Sequence, residues 1–146
     1  MDQRIIPGQR ADTWTLGMSE ADIRASFDYK PKRERTCLKY KQVNFILGKQ
    51  QELLFMHLHS DYDGTFRGIG IGSSLADVQA ELGRPHFSWD GAFCVDGFPG
   101  ISFMLSSRKN SRFYGLEDEE PEDREHLYGY ALKDLIIDRI VISAAR

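Results

Sequence analysis

The string His57-Leu58-His59-Ser60-Asp61-Tyr62-Asp63 gathers the side chains best suited to chemistry. Alternate residues of an extended chain share a face, so His57, His59, Asp61 and Asp63 would project together. Imidazoles and carboxylates such as His57, His59 and Asp61 are the groups that hold a zinc or manganese ion and activate a bound water. One reading is therefore a metal-dependent hydrolase, or a metal-binding protein, working from that face. The set is short of ligands. Tyr62 stands where a further histidine would extend it, and His86 and His126 are distant in sequence. A strand whose other face is Leu54, Met56 and Leu58 explains the string without a metal, so neither a metal nor another cofactor is expected.

Other catalytic patterns fail on spacing. Ser73-Ser74 is not a nucleophile elbow, because Gly-x-Ser-x-Gly breaks at Ala76. Gly68-x-Gly70-x-Gly72 lacks the spacing of a dinucleotide loop. No Ser-His-Asp, Cys-His or paired-carboxylate set emerges, so no catalytic residue is assigned and the chain does not read as an enzyme. Trp14 and Trp89 are expected to fill core or inter-repeat space.

Two charged stretches remain. Lys30-Pro31-Lys32-Arg33-Glu34-Arg35, with Lys39 and Lys41 and the rings of Tyr29 and Tyr40 nearby, could grip nucleic acid. The net charge of −3 and the lack of any nucleic-acid motif favour a solvated loop that protects a strand edge, so no nucleic-acid partner is expected. Glu117-Asp118-Glu119-Glu120-Pro121-Glu122-Asp123-Arg124-Glu125 has seven acidic residues in nine. It is either a solvated loop or a mimic of an anionic substrate, aimed at the basic cleft of a nuclease. Glu117, Asp118, Glu119, Glu120, Glu122, Asp123 and Glu125 would speed association, and flanking rings such as Tyr114 and Tyr128 would anchor it.

The elements that position these residues come from an internal repeat. Leu16-Gly17-Met18-Ser19-Glu20-Ala21-Asp22-Ile23-Arg24-Ala25-Ser26-Phe27 aligns without gaps, 55 residues on, with Ile71-Gly72-Ser73-Ser74-Leu75-Ala76-Asp77-Val78-Gln79-Ala80-Glu81-Leu82, and five of the twelve positions are identical. Ser19 and Ser74 stand where helix N-caps belong, with Asp22 and Asp77 three residues on to complete a capping box. Gly17 and Gly72 permit the turn into each helix, while Gly83 and Pro85 end the second, expected over about 75–82. Strands follow at 37–40, 43–47 and 53–59, with a turn at 48–51. A short entry strand at 66–71 leads to the second copy, with strands at 92–95, 100–106 and 136–143 and a hairpin at Asp96-Gly97. The polar, acidic stretch 107–133 interrupts the second copy only.

These readings give an α+β chain: two tandem helix-plus-antiparallel-meander repeats, 1–63 and 64–146, forming one domain. Cys37 and Cys94 are read as reduced, buried thiols. No apolar run approaches a membrane span, and the chain opens without a signal-peptide core, so no membrane association and a cytoplasmic location are expected.

Ile5-Ile6-Pro7-Gly8, Leu16-Gly17-Met18-Ser19-Glu20-Ala21-Asp22-Ile23, Gly70-Ile71-Gly72-Ser73-Ser74-Leu75-Ala76-Asp77-Val78 and Leu82-Gly83-Arg84-Pro85 carry a resemblance. The chain is similar to small tandem-repeat bacterial proteins, some of which are immunity proteins found beside secreted toxins. Its single unit resembles the helix-plus-meander module of beta-lactamase-inhibitor proteins and of small outer-membrane assembly lipoproteins. Those exported groups carry a signal peptide or a lipobox cysteine, which this chain does not show. The resemblance thus implies a cytoplasmic, non-enzymatic, protein-binding immunity protein that neutralises a toxin, with a basic nuclease as the expected partner.

Overall fold

The computed structural model describes residues 4–88, 90–116 and 124–144. Helices α1 (Glu20–Ala25) and α2 (Leu75–Glu81) accompany one large antiparallel sheet. The strands of that sheet are β1 (Lys32–Glu34), β2 (Cys37–Lys39), β3 (Val43–Leu47), β4 (Leu53–His59), β5 (His86–Phe87), β6 (Phe93–Cys94), β7 (Ile101–Met104) and β8 (Arg139–Ser143). Their spatial order is β1-β2-β3-β4-β8-β7-β6-β5. Each half of the chain thus supplies a helix and then a four-stranded meander, and the halves meet where β4 pairs with β8. The architecture is α+β, as expected.

Local chemistry explains the entry to each helix. Gly17 and Gly72 take φ of +93° and +96°, a region open to glycine at little cost. The two turns are clamped in the same way. Gly17 N–H donates to Leu53 O and Leu53 N–H to Met18 O, at 2.8 and 2.9 Å. Gly72 N–H donates to Ile137 O and Ile137 N–H to Ser73 O, at 3.0 and 2.8 Å. Ser74 and Asp77 form the complete capping box: the Asp77 amide donates to Ser74 Oγ at 3.1 Å, and the Ser74 amide to Asp77 Oδ2 at 2.9 Å. At α1 only the first half forms, Asp22 N–H to Ser19 Oγ at 3.2 Å. Two satisfied amides explain why α2 is the better-anchored helix.

One face of the sheet forms the core. Leu38, Phe45, Met56, Leu58, Phe103, Ile140 and Ile142 are fully buried there, together with Ile23 of α1 and Leu75 and Val78 of α2. Trp14 joins this core from a three-stranded N-terminal sheet, stacking on Phe27 at 5.6 Å and meeting Phe45 edge-on at 5.3 Å. Trp89 lies outside the described residues.

Several expectations need correction. Leu54 does not face the core: Leu47 pairs with Leu53 and Ile46 with Phe55, so Leu54 is the extra residue of a bulge and is 41% exposed. Segment 66–71 is a tight turn rather than a strand. Phe66 and Ile69 exchange both backbone hydrogen bonds at 2.9 Å across Arg67 and Gly68, whose φ of +52° and +81° are those of a tight hairpin. The first strand of each meander, β1 and β5, escaped the sequence because neither carries an alternating apolar pattern. β8 begins at Arg139; before it, Ile136 makes an isolated bridge to Ser74. The two free cysteines are half-buried on outward-facing positions.

The capping geometry generates a graded expectation. Ser74→Ala should destabilise the protein by about 1 kcal/mol and Ser19→Ala by less, because Ser74 completes a two-way box. Denaturant unfolding of both variants checks this. Equal losses would contradict the ranking.

Candidate functional site

The outward face of the sheet carries the histidines. In register, Asn44, His57 and Val141 lie across β3, β4 and β8, while His59 faces Arg139. His59 Nε2 lies 3.1 Å from Asn44 Oδ1, and Nδ1 lies 2.9 Å from Ser60 Oγ. Arg139 Nη1 donates to His57 Nδ1 at 3.2 Å, which assigns the ring proton of neutral His57 to Nε2. Burial holds His57 well below the ordinary imidazole range, at about 4, and the charge of Arg139 adds to the effect. His59 is lowered for the same two reasons, in the same order.

The expected carboxylates do not join them. Ser60, at φ +58°, turns the chain out of the strand. Asp61 accepts from Gln42 Nε2 at 2.8 Å, and Asp63 pairs with Arg4. Tyr62 is buried and donates to Asp12 Oδ2 at 2.7 Å. The strand-face periodicity holds for His57 and His59 and ends at the turn. Among the described residues, no group of three or more His, Cys, Asp or Glu side chains is placed to hold a metal ion. Arg139 is the member of this face that motif reading passed over. Its outward position was legible in the alternation of β8, but its cross-strand contact with His57 requires the sheet order.

Three cations of the basic stretch, Lys32, Arg33 and Lys39, meet carboxylates. Glu20 binds both Arg33 and Arg24, the latter at 2.8 Å, and these contacts, Arg33 first, hold its carboxyl below the usual range. Glu34 meets Lys39 at 2.6 Å and Lys32 at 3.7 Å. Lys41 lies over the ring of Tyr29 at 5.4 Å. Lys32, Arg33 and Glu34 form the exposed edge strand β1, where charge discourages pairing with another chain.

The second-half insertion is mounted on aromatic residues. A short helix, Ser107–Asn110, and a 3₁₀ turn, Ser111–Phe113, lead into it, and a two-stranded ribbon, His126–Leu127 with Tyr130–Ala131, leads out. The ribbon turns at Tyr128-Gly129, with φ of +53° and +84°. Phe113 is 1% exposed and touches Phe87, Phe93, Tyr128 and Tyr130, at ring distances of 5.4 to 5.7 Å. Asn110, also buried, accepts from Leu105 N–H and donates to Gly91 O, and sequence reasoning gave no sign of that role. Tyr114 is 52% exposed, the highest value among the exposed large hydrophobic residues described. Tyr128 packs on Phe113 and is half-buried, so it supports the platform more than it projects. Glu125 is exposed at the foot of the ribbon, where its carbonyl accepts from Leu132 N–H at 2.8 Å. Glu117, Asp118, Glu119, Glu120, Glu122 and Asp123 lie outside the described residues.

Two adjoining concavities of about 440 and 500 Å³ run between α2 and the segment around Arg124, sharing Ala76, Gln79 and Arg124 in their walls. Gln79 bridges the two sides by donating to Arg124 O. Among the described residues, no helix is long and apolar enough to cross a membrane.

The depressed pKa of His57 makes a stability prediction. An unfolded imidazole titrates near 6.5 and the folded one near 4, so the unfolded chain binds more protons between those values. Stability should therefore fall as pH drops from 6.5 toward 4, by roughly 2 kcal/mol from this group. His57→Gln should show a shallower loss in denaturant unfolding across that range. Parallel losses in both proteins would contradict the assignment.

No family model, curated protein or solved structure matches the chain.

Proposed function

We propose that this is a cytoplasmic, non-enzymatic protein that binds another protein, acting as an immunity protein that neutralises a toxin with a basic, nuclease-type surface. On this reading the two halves are copies of one helix-plus-meander unit, and only the second has acquired a binding insertion. The observation that carries the proposal is the mounting of that insertion. β7 and β8 stay paired from Ile101↔Ile142 to Met104↔Arg139, so the sheet closes without help from the residues between them. Those residues nevertheless bury Phe113, Leu127 and Leu132 as an anchor and leave Tyr114 half in solvent. An anchored platform that carries an exposed ring, followed in the sequence by seven acidic residues in nine, is suited to a cationic partner. The ring would supply short-range contact, and the charge would supply encounter rate.

The equivalence of the two helix entries supports the duplication. The turns at Gly17 and Gly72, 55 positions apart, use the same pair of backbone hydrogen bonds, to Leu53 at the start of β4 and to Ile137 just before β8.

The experiment is co-expression with the product of the neighbouring reading frame, followed by binding kinetics. The protein should protect cells from that product and form a stoichiometric complex with it. Tyr114→Ala should raise the dissociation rate by about tenfold or more. Neutralising Glu119, Glu120, Glu122 and Asp123 together should slow association and flatten its salt dependence, with little change in thermal stability. Unchanged kinetics in both variants would contradict the assignment of the insertion as the binding surface.

A further inference from the structure

Among the described residues, Arg139 on the outward face of the sheet makes no ion pair with an acid. Arg139 opens β8, with His59 of β4 on one side and Met104 of β7 on the other. Its described hydrogen bond runs to the neutral ring of His57. Among the described residues it forms no ion pair, whereas Arg4, Arg24, Lys32, Arg33 and Lys39 each meet a carboxylate. A half-buried guanidinium has five N–H donors in a planar fork, and one imidazole nitrogen uses little of that capacity.

The surroundings favour a particular guest. A concavity of about 220 Å³ opens beside Arg139, lined by Met104, Leu105, Asp138 and Arg139. Facing this region are Cys37 and Lys39 on β2, Asn44 on β3, His57 and His59 on β4, and Met104 on β7, with Asp138 next along the chain. Lys39 is already held by Glu34. The local charge is therefore a single positive fork with neutral imidazoles on one side and a carboxylate, Asp138, nearby. A dianion such as phosphate would meet too little positive charge and would be repelled by Asp138. A monoanionic carboxylate matches the fork in shape and in charge.

We propose that Arg139, together with His57, forms a carboxylate-binding site on the outward face of the sheet, taking either an acidic side chain of a protein ligand or a free small acid. This site is independent of the insertion described above. On binding, Arg139 turns its fork from His57 Nδ1 to the acid. His57 is then released from its role as acceptor and lies beside an anion, so it takes up a proton. Binding should strengthen as pH falls, because the bound form holds more protons than the free form.

Nuclear magnetic resonance of the histidine rings tests this in the whole protein at constant ionic strength. The probes are the capped tripeptide Leu-Glu-Leu, its Leu-Gln-Leu counterpart, and butyrate, a small monocarboxylate. The Glu peptide should give a saturable shift of the His57 ring signals, and the Gln peptide should bind about tenfold more weakly. The Glu peptide should also bind more tightly at about pH 5.5 than at about pH 7.5. Arg139→Gln should abolish the discrimination between the peptides, and Arg139→Lys should restore part of it. Followed through the His59 ring signals, His57→Gln should keep the discrimination and lose the pH dependence, a result that a purely structural role would not give. Butyrate binding as well as the peptide would identify a small-acid site; butyrate binding more weakly would identify a side-chain site. No saturable shift with either acid, or equal responses to the Glu and Gln peptides, would overturn the proposal.

Discussion

The pairing of β4 with β8 is the constraint on which the rest of this structure depends. Five residues of each strand lie in register, from Phe55↔Ser143 to His59↔Arg139. Neither half could bury its own sheet face alone: each meander has four strands, and in each half two of them are only two or three residues long. Joined through the seam, they bury Met56, Leu58, Ile140 and Ile142 completely, and these residues form the middle of a single core. Apolar burial on one side of the seam contributes about 25 cal/mol for each Å² removed from water, far more than the exposed ion pairs along the edge strand. The same seam sets the chemistry of the opposite face, because it brings Arg139 of the last strand beside His57 and His59 of the fourth.

The seam also explains how the second half carries a long insertion. β8 is held between β4 and β7, so its position is fixed from both sides. Chain can be added between β7 and β8 at a cost that grows only slowly with length. The added residues then gain their own anchorage from Phe113, Leu127 and Leu132, and from Asn110, whose amide ties the insertion's first turn to the loop at Gly91.

What the sequence disclosed depended on whether a signal was local. Ser74, Asp77 and Gly72 announced a capped helix and its entry turn because those interactions span a few residues. β3 and the end of β4 were legible from alternation. Leu54 misled because a bulge depends on the partner strand, which one chain segment does not reveal. Lys32–Glu34 and His86–Phe87 were invisible as strands because pairing at an edge demands no apolar face. The histidine string promised four groups on one side; the turn at Ser60 delivered two of them. Arg139, some eighty positions along the chain from His57, could be placed beside it only once the strand order was known. Of the described parts of the acidic insertion, Tyr114 packs on Phe87 and Tyr128 on Phe113, while Glu125 stands at the foot of the ribbon.

The central claim is that the seam makes two half-sheets into one cooperative unit. Native-state hydrogen exchange, followed amide by amide in increasing denaturant, addresses it most directly. The account predicts that the amides of β4 and β8 are the slowest to exchange, and that those of β3 and β7 merge with them into one global unfolding step. Two separate steps, with one half exchanging freely while the other stays protected, would contradict it.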